Sequence, residues 1–138
     1  MVKAIEGIPE LIATWRGTGL VGGSRLPVTL TLQANADRTV LEGELVVTTP
    51  DGGARRSPVR LVKSEGFDLV LEYPDNRQRL NGRIDGRQIF FAGEDPSHPE
   101  LLSGREVWTV MGDDLELQAF DDPGSLKPVW SAQLSRAR

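Results

Sequence analysis

The sequence predicts an all-β fold: an antiparallel up-and-down barrel of about ten strands, preceded by a short N-terminal helical turn. Three observations carry this. Apolar and polar residues alternate with a period of two along most of the chain, the mark of strands with one buried face. Turn-forming Gly, Pro, Asn and Asp clusters interrupt that alternation at short intervals, as hairpins require. The first and last periodic segments also read as strands, and pairing them closes the sheet and removes the open edges that invite aggregation.

The elements follow in order. Ile8-Pro9-Glu10-Leu11-Ile12-Ala13 reads as one helical turn, with Pro9 suited to a first helical position and Glu10 to the positive end of the dipole. A strand over 15–21 carries Gly17 and Gly19, which permit a bend or a close backbone approach. Over 26–33, Val28, Leu30 and Leu32 alternate with Thr29 and Thr31; over 39–48, Leu41, Gly43, Leu45 and Val47 alternate with Glu42, Glu44 and Val46. A strand over 57–63 follows, then one over 67–73, where Phe67, Leu69, Leu71 and Tyr73 oppose Asp68, Val70 and Glu72. Strands over 77–83 and 87–93 flank Asp85-Gly86, a two-residue hairpin signal. The longest irregular stretch, 94–103, holds His98, and strands over 104–111, 114–120 and 127–135 complete the set. No long crossover is needed, which favours a meandering barrel over a Greek-key sandwich.

Bulk properties set the function classes. The 138 residues suit one domain, 1–138, large enough for an independent core. A net charge of −4 gives no basic footprint, so no nucleic-acid partner is expected. The clusters Arg55, Arg56, Arg60 and Arg77, Arg79, Arg83, Arg87 lie among acidic residues and read as solvated strand faces. No cysteine is present, which removes disulfides, thiolate nucleophiles and zinc–cysteine sites and agrees with a reducing cytosol. No apolar run is long enough to span a bilayer and residues 1–7 lack a signal-peptide core, so the expectation is a cytoplasmic protein of bacterial style with no membrane partner.

At the two ends the residues become familiar. A short turn, then Trp15-Arg16-Gly17-Thr18-Gly19, resembles the opening of calycin barrels: lipocalins, fatty-acid-binding proteins and the shorter nitrobindin-like bacterial members. Lipocalins usually show Gly-x-Trp there, whereas Ala13 stands in the leading glycine's place. Arg105-Glu106-Val107-Trp108-Thr109, Gly112-Asp113-Asp114-Leu115 and Pro128-Val129-Trp130 with Arg136 are similar to the last strands of small lipocalin-like bacterial domains. The resemblance implies a small-molecule barrel and a tryptophan–arginine plug at its closed end, here Trp15 with Arg136. Closure alone brings Trp15 near the C-terminal strand, where Arg136 or Arg138 can lie over the indole.

No catalytic motif is evident. Haem in a nitrobindin-like barrel needs a histidine on a late strand, and the only histidine, His98, falls in a loop. One histidine and no cysteine exclude a multi-histidine zinc site, no Gly-x-Ser-x-Gly occurs, and no cofactor is expected. Glu106 is the one carboxylate whose direction is open, because both faces of 104–111 are similarly apolar. Inward, it sits among aromatics with a raised pKa and becomes a candidate catalytic acid or base; outward, it pairs with Arg105 or Arg87. Gln118 shares this ambiguity on the next strand. Phe90 and Phe91 must point to opposite faces; Phe91 joins the interior set and the outer ring is a candidate homodimer contact. Tyr73, Phe91, Trp108, Gln118 and Trp130 are therefore the candidate ligand contacts, inside a barrel whose ten strands enclose more volume than these side chains fill. The expected function is binding of a small, largely apolar molecule; the alternative is a cofactor-free cyclase or isomerase acting on a hydrophobic substrate.

Overall fold

A computed structural model describes residues 11–21, 23–35, 40–63, 68–76, 78–92, 105–120 and 128–137. Residues 8–10 of the predicted helical turn fall outside the described residues, as do Phe67, Arg77, His98 and the whole irregular stretch around it. The described strands are β1 (Ala13–Val21), β2 (Ser24–Ala34), β3 (Val40–Thr48), β4 (Ala54–Lys63), β5 (Leu69–Tyr73), β6 (Gln78–Asp85), β7 (Gln88–Ala92), β8 (Arg105–Met111), β9 (Asp114–Phe120) and β10 (Trp130–Arg136). Each pairs antiparallel with its sequence neighbours, and β1 pairs with β10, giving a closed up-and-down barrel.

The period-two reading of the faces holds in the register. Val28, Leu30 and Leu32 oppose Val47, Leu45 and Gly43, and the row continues inward through Ser57, Val59 and Leu61. On the outer face the arginines meet acidic neighbours: Arg56 lies 2.6 Å from Glu44, and Arg60 lies 3.6 Å from Glu42 and 3.4 Å from Glu72. These solvated pairs are each worth at most about 1 kcal/mol, so burial, not surface charge, sets the register. Arg55 is exposed, as expected for a solvated charge. Its partner across the ladder is Val47, which puts it in the inward row at one rim of the barrel.

The seam between β1 and β10 is where closure is decided. Trp15 is fully buried, its indole N–H donates to the Leu11 carbonyl at 3.1 Å, and the Arg136 guanidinium carbon stands 4.7 Å from the ring centroid. Arg136 is held in turn by Asp113 at 3.3 Å and by the Ile12 carbonyl at 3.4 Å. The strands approach closely here because Gly17 has no side chain; a Cβ would lie 1.9 Å from the Gln133 carbonyl oxygen. Trp15 and Arg136 therefore meet where β1 begins and β10 ends, and Leu30, Leu61, Leu115 and Leu134 belong to the same buried core as Trp15.

One turn departs from expectation. The β6–β7 hairpin places Asp85 opposite Gln88, so the two turn residues are Gly86 and Arg87, one position later than the Asp85-Gly86 reading. Gly86 has φ of 62°, so the residue needing the left-handed region takes the first turn position. Inside the same sheet, Gly82 faces Phe91, and a Cβ there would lie 2.7 Å from the ring. Gly82→Ala should therefore displace Phe91 and cost about 1–3 kcal/mol, read as a lower urea midpoint at unchanged slope.

Candidate functional site

The strand directions set the site. Trp15 lies near the start of β1 and Arg136 ends β10, so the opposite rim includes the end of β3, the start of β4, the end of β5 and the starts of β8 and β10. At that rim lies a pocket of about 470 Å³, within the usual range for small-molecule sites. Val28, Leu45, Val47 and Trp130 form one part of its lining; Arg55, Arg56, Ser57, Tyr73, Asp75 and Glu106 form the rest. The loop between β3 and β4 is braced by a Thr49 hydroxyl bond to Asp51 and by the Gly53 amide donating to the same carboxylate at 3.1 Å. Those two bonds hold the Asp51 carboxyl below its ordinary value.

Glu106 answers the question the sequence left open. Its ladder partners are Phe91 and Ala119, both in buried interior positions, so its side chain enters the barrel. The Tyr73 hydroxyl lies 2.9 Å from Oε1 and 2.8 Å from Oε2, and the Trp108 indole N–H donates to Oε1 at 3.1 Å. The Tyr73 contact joins β5 to β8 across the barrel interior. Burial pushes the Glu106 carboxyl above its ordinary value, against the opposing pull of the Trp108 and Tyr73 hydrogen bonds. Burial and the neighbouring carboxylate push the Tyr73 phenol well above its own, so it stays a neutral donor. The alternative of an outward Glu106 paired with Arg87 is not what forms; its carboxylate is bonded by Tyr73 and Trp108, and the Arg105 side chain lies outside the described residues.

The predicted contacts divide three ways. Tyr73 and Trp130 line the pocket beside Glu106. Phe91 and Trp108 face inward but pack against each other edge to face, with centroids 5.4 Å apart at 67°, as part of the core behind Glu106. Gln118 does not join them. It sits opposite Val107 and Ser131 on the outward row, because Leu115, Leu117 and Ala119 take the inward positions of β9. Phe90 likewise turns outward, paired with Val107. Sequence reasoning passed over Arg55, Ser57 and Asp75. Counting back by twos from Leu61 through Val59 and Ser57 reaches Arg55, so the signal was present but lay inside a run read as charged surface.

Among the described residues no group of three or more His, Asp or Glu side chains comes together to hold a metal ion, and no helix is long and apolar enough to cross a membrane. No protein-family model and no curated protein matches the chain.

Proposed function

We propose that the barrel binds a small molecule with a largely apolar body and one polar group, held in the rim pocket in the manner of a calycin-like binding module. The observation that supports this best is a 470 Å³ pocket whose lining combines apolar Val28, Leu45, Val47 and Trp130 with the buried Tyr73–Glu106 pair. Apolar contact supplies affinity and a few fixed polar groups supply orientation. The closed up-and-down sheet is compatible with such a fold, and its tryptophan–arginine contact at the far end leaves the rim as the entrance.

Trp130 provides the test. Of the three tryptophans, it is the one in the pocket lining; Trp15 is in the seam and Trp108 is in the core. A brominated alkyl alcohol, which quenches indoles on contact, should quench emission saturably, and Trp130→Phe should remove most of that quenching. Unsaturable quenching, or quenching unaffected by Trp130→Phe, would remove the pocket as the binding place. Native mass spectrometry of the purified protein should show a co-purified molecule lost on denaturation.

A second reading draws on Glu106 itself: a buried carboxyl with a raised pKa in a pocket is suited to proton transfer in a cofactor-free isomerisation or cyclisation. It predicts that Glu106→Gln abolishes turnover while an apolar probe still binds.

A further inference from the structure

The polar end of the pocket has a definite hydrogen-bonding character, and it selects among ligand classes. Trp108 can only donate, and it donates to Glu106 Oε1. The Tyr73 hydroxyl has one proton, and both oxygens within its reach belong to Glu106. Both donors of the cluster are thus directed at the carboxylate. What remains is acceptor capacity: the unused lone pairs of Glu106 and those of the Tyr73 oxygen. Among the described side chains Glu106 bonds to these two neutral groups and pairs with no cation. A buried carboxylate without a counter-charge is costly to keep ionised, and a ligand that brings the charge offsets that cost.

Resting on the binding reading above, we infer that the ligand is a small cationic amphiphile, an aliphatic or aryl-alkyl amine, whose ammonium group sits against Glu106 and Tyr73 while its apolar body lies along Val47 and Trp130. An ammonium carries three donors and no acceptor, the complement of what the cluster offers. The reverse arrangement, an anionic head at Arg55 with an apolar tail inward, would bury Glu106 against hydrocarbon and leave its charge uncompensated. Two features temper repulsion from the rim arginines. Arg56 is engaged by Glu44 at 2.6 Å, and the acidic Asp75 lies in the same lining. Arg55 is exposed, so solvent screens its charge.

Three probes with one apolar body separate the possibilities: n-octylamine, 1-octanol and octanoate, titrated calorimetrically into the full chain at neutral pH and moderate salt. Octylamine should bind about tenfold or more tighter than octanol, with octanoate weakest, as a charge-assisted hydrogen bond implies. Glu106→Gln should erase the amine preference, so that octylamine and octanol bind alike in the variant, with an unchanged far-ultraviolet circular dichroism spectrum showing that the barrel is intact. Should that variant not fold, carboxyl-carbon NMR of the wild-type protein decides: octylamine should lower the pH at which the Glu106 signal titrates, and octanol should not. Equal binding of amine and alcohol, or tighter binding of octanoate, would overturn the amine assignment while leaving the binding module standing. Failure of all three probes to bind would overturn both.

Discussion

Replacing Trp15 with alanine should destabilise the barrel by about 3–5 kcal/mol, the range for removing a large aromatic from a tightly packed interior. The residue is fully buried, its N–H satisfies the Leu11 carbonyl, and its ring carries Arg136. Losing it leaves a void where β1 meets β10 and an unanswered carbonyl beside it. Arg136→Ala should cost less, about 0.5–2 kcal/mol, because the guanidinium is partly solvated and its contribution is chiefly cation–π. A double-mutant cycle by urea denaturation should show the two costs to be non-additive, since each residue's contact requires the other. A loss below about 1 kcal/mol for Trp15→Ala would mean that the seam is held by its backbone ladder alone.

The second large effect concerns pH. Burial raises the folded-state pKa of Glu106 above the unfolded value near 4.5. Below about pH 4.5 both states are protonated and the carboxyl costs nothing. As pH rises from there, the unfolded chain ionises first, so the folded state loses relative stability until its own raised pKa is passed. Each unit of displacement removes about 1.4 kcal/mol. Glu106→Gln cannot ionise. The wild-type protein should therefore become steadily less stable relative to this variant as urea unfolding is repeated from pH 4.5 upward, with a plateau above the folded pKa. Working below pH 9 keeps Tyr73 out of the comparison, since its phenol is pushed well above 10. A wild-type–variant difference that stays constant with pH would show that the folded carboxyl ionises as freely as the unfolded one.

Much of the barrel was legible because alternation and burial agree where one face is clearly polar. In β2 the inward residues can be read by eye, and a slip of one residue would expose them all, whereas in β5 Val70 is buried on the outward row as well. The same logic failed for β8 and β9 for a physical reason. Val107 and Phe120 occupy outward positions yet are buried, so apolar character there no longer marks the interior and the direction of Glu106 and Gln118 was left open. The Tyr73–Glu106 bond was out of reach as well. It links residues 33 apart through the barrel interior, and no local spacing encodes such a contact. Arg55 is exposed, as a charge within a basic run suggests, but its parity puts it at the rim end of the inward row, so its place in the pocket lining went unread.

The β1–β10 seam has a kinetic consequence. Every other strand pairing joins neighbours along the chain, whereas Arg136 reaches the Ile12 carbonyl across 124 positions of sequence. Contacts of such separation carry the greatest loop-closure entropy and are favoured only after the intervening hairpins have shortened the effective loop. Indole emission from Trp15 should accordingly be a clock for the final zipping of the sheet, lagging behind the far-ultraviolet signal of strand formation in a stopped-flow refolding trace.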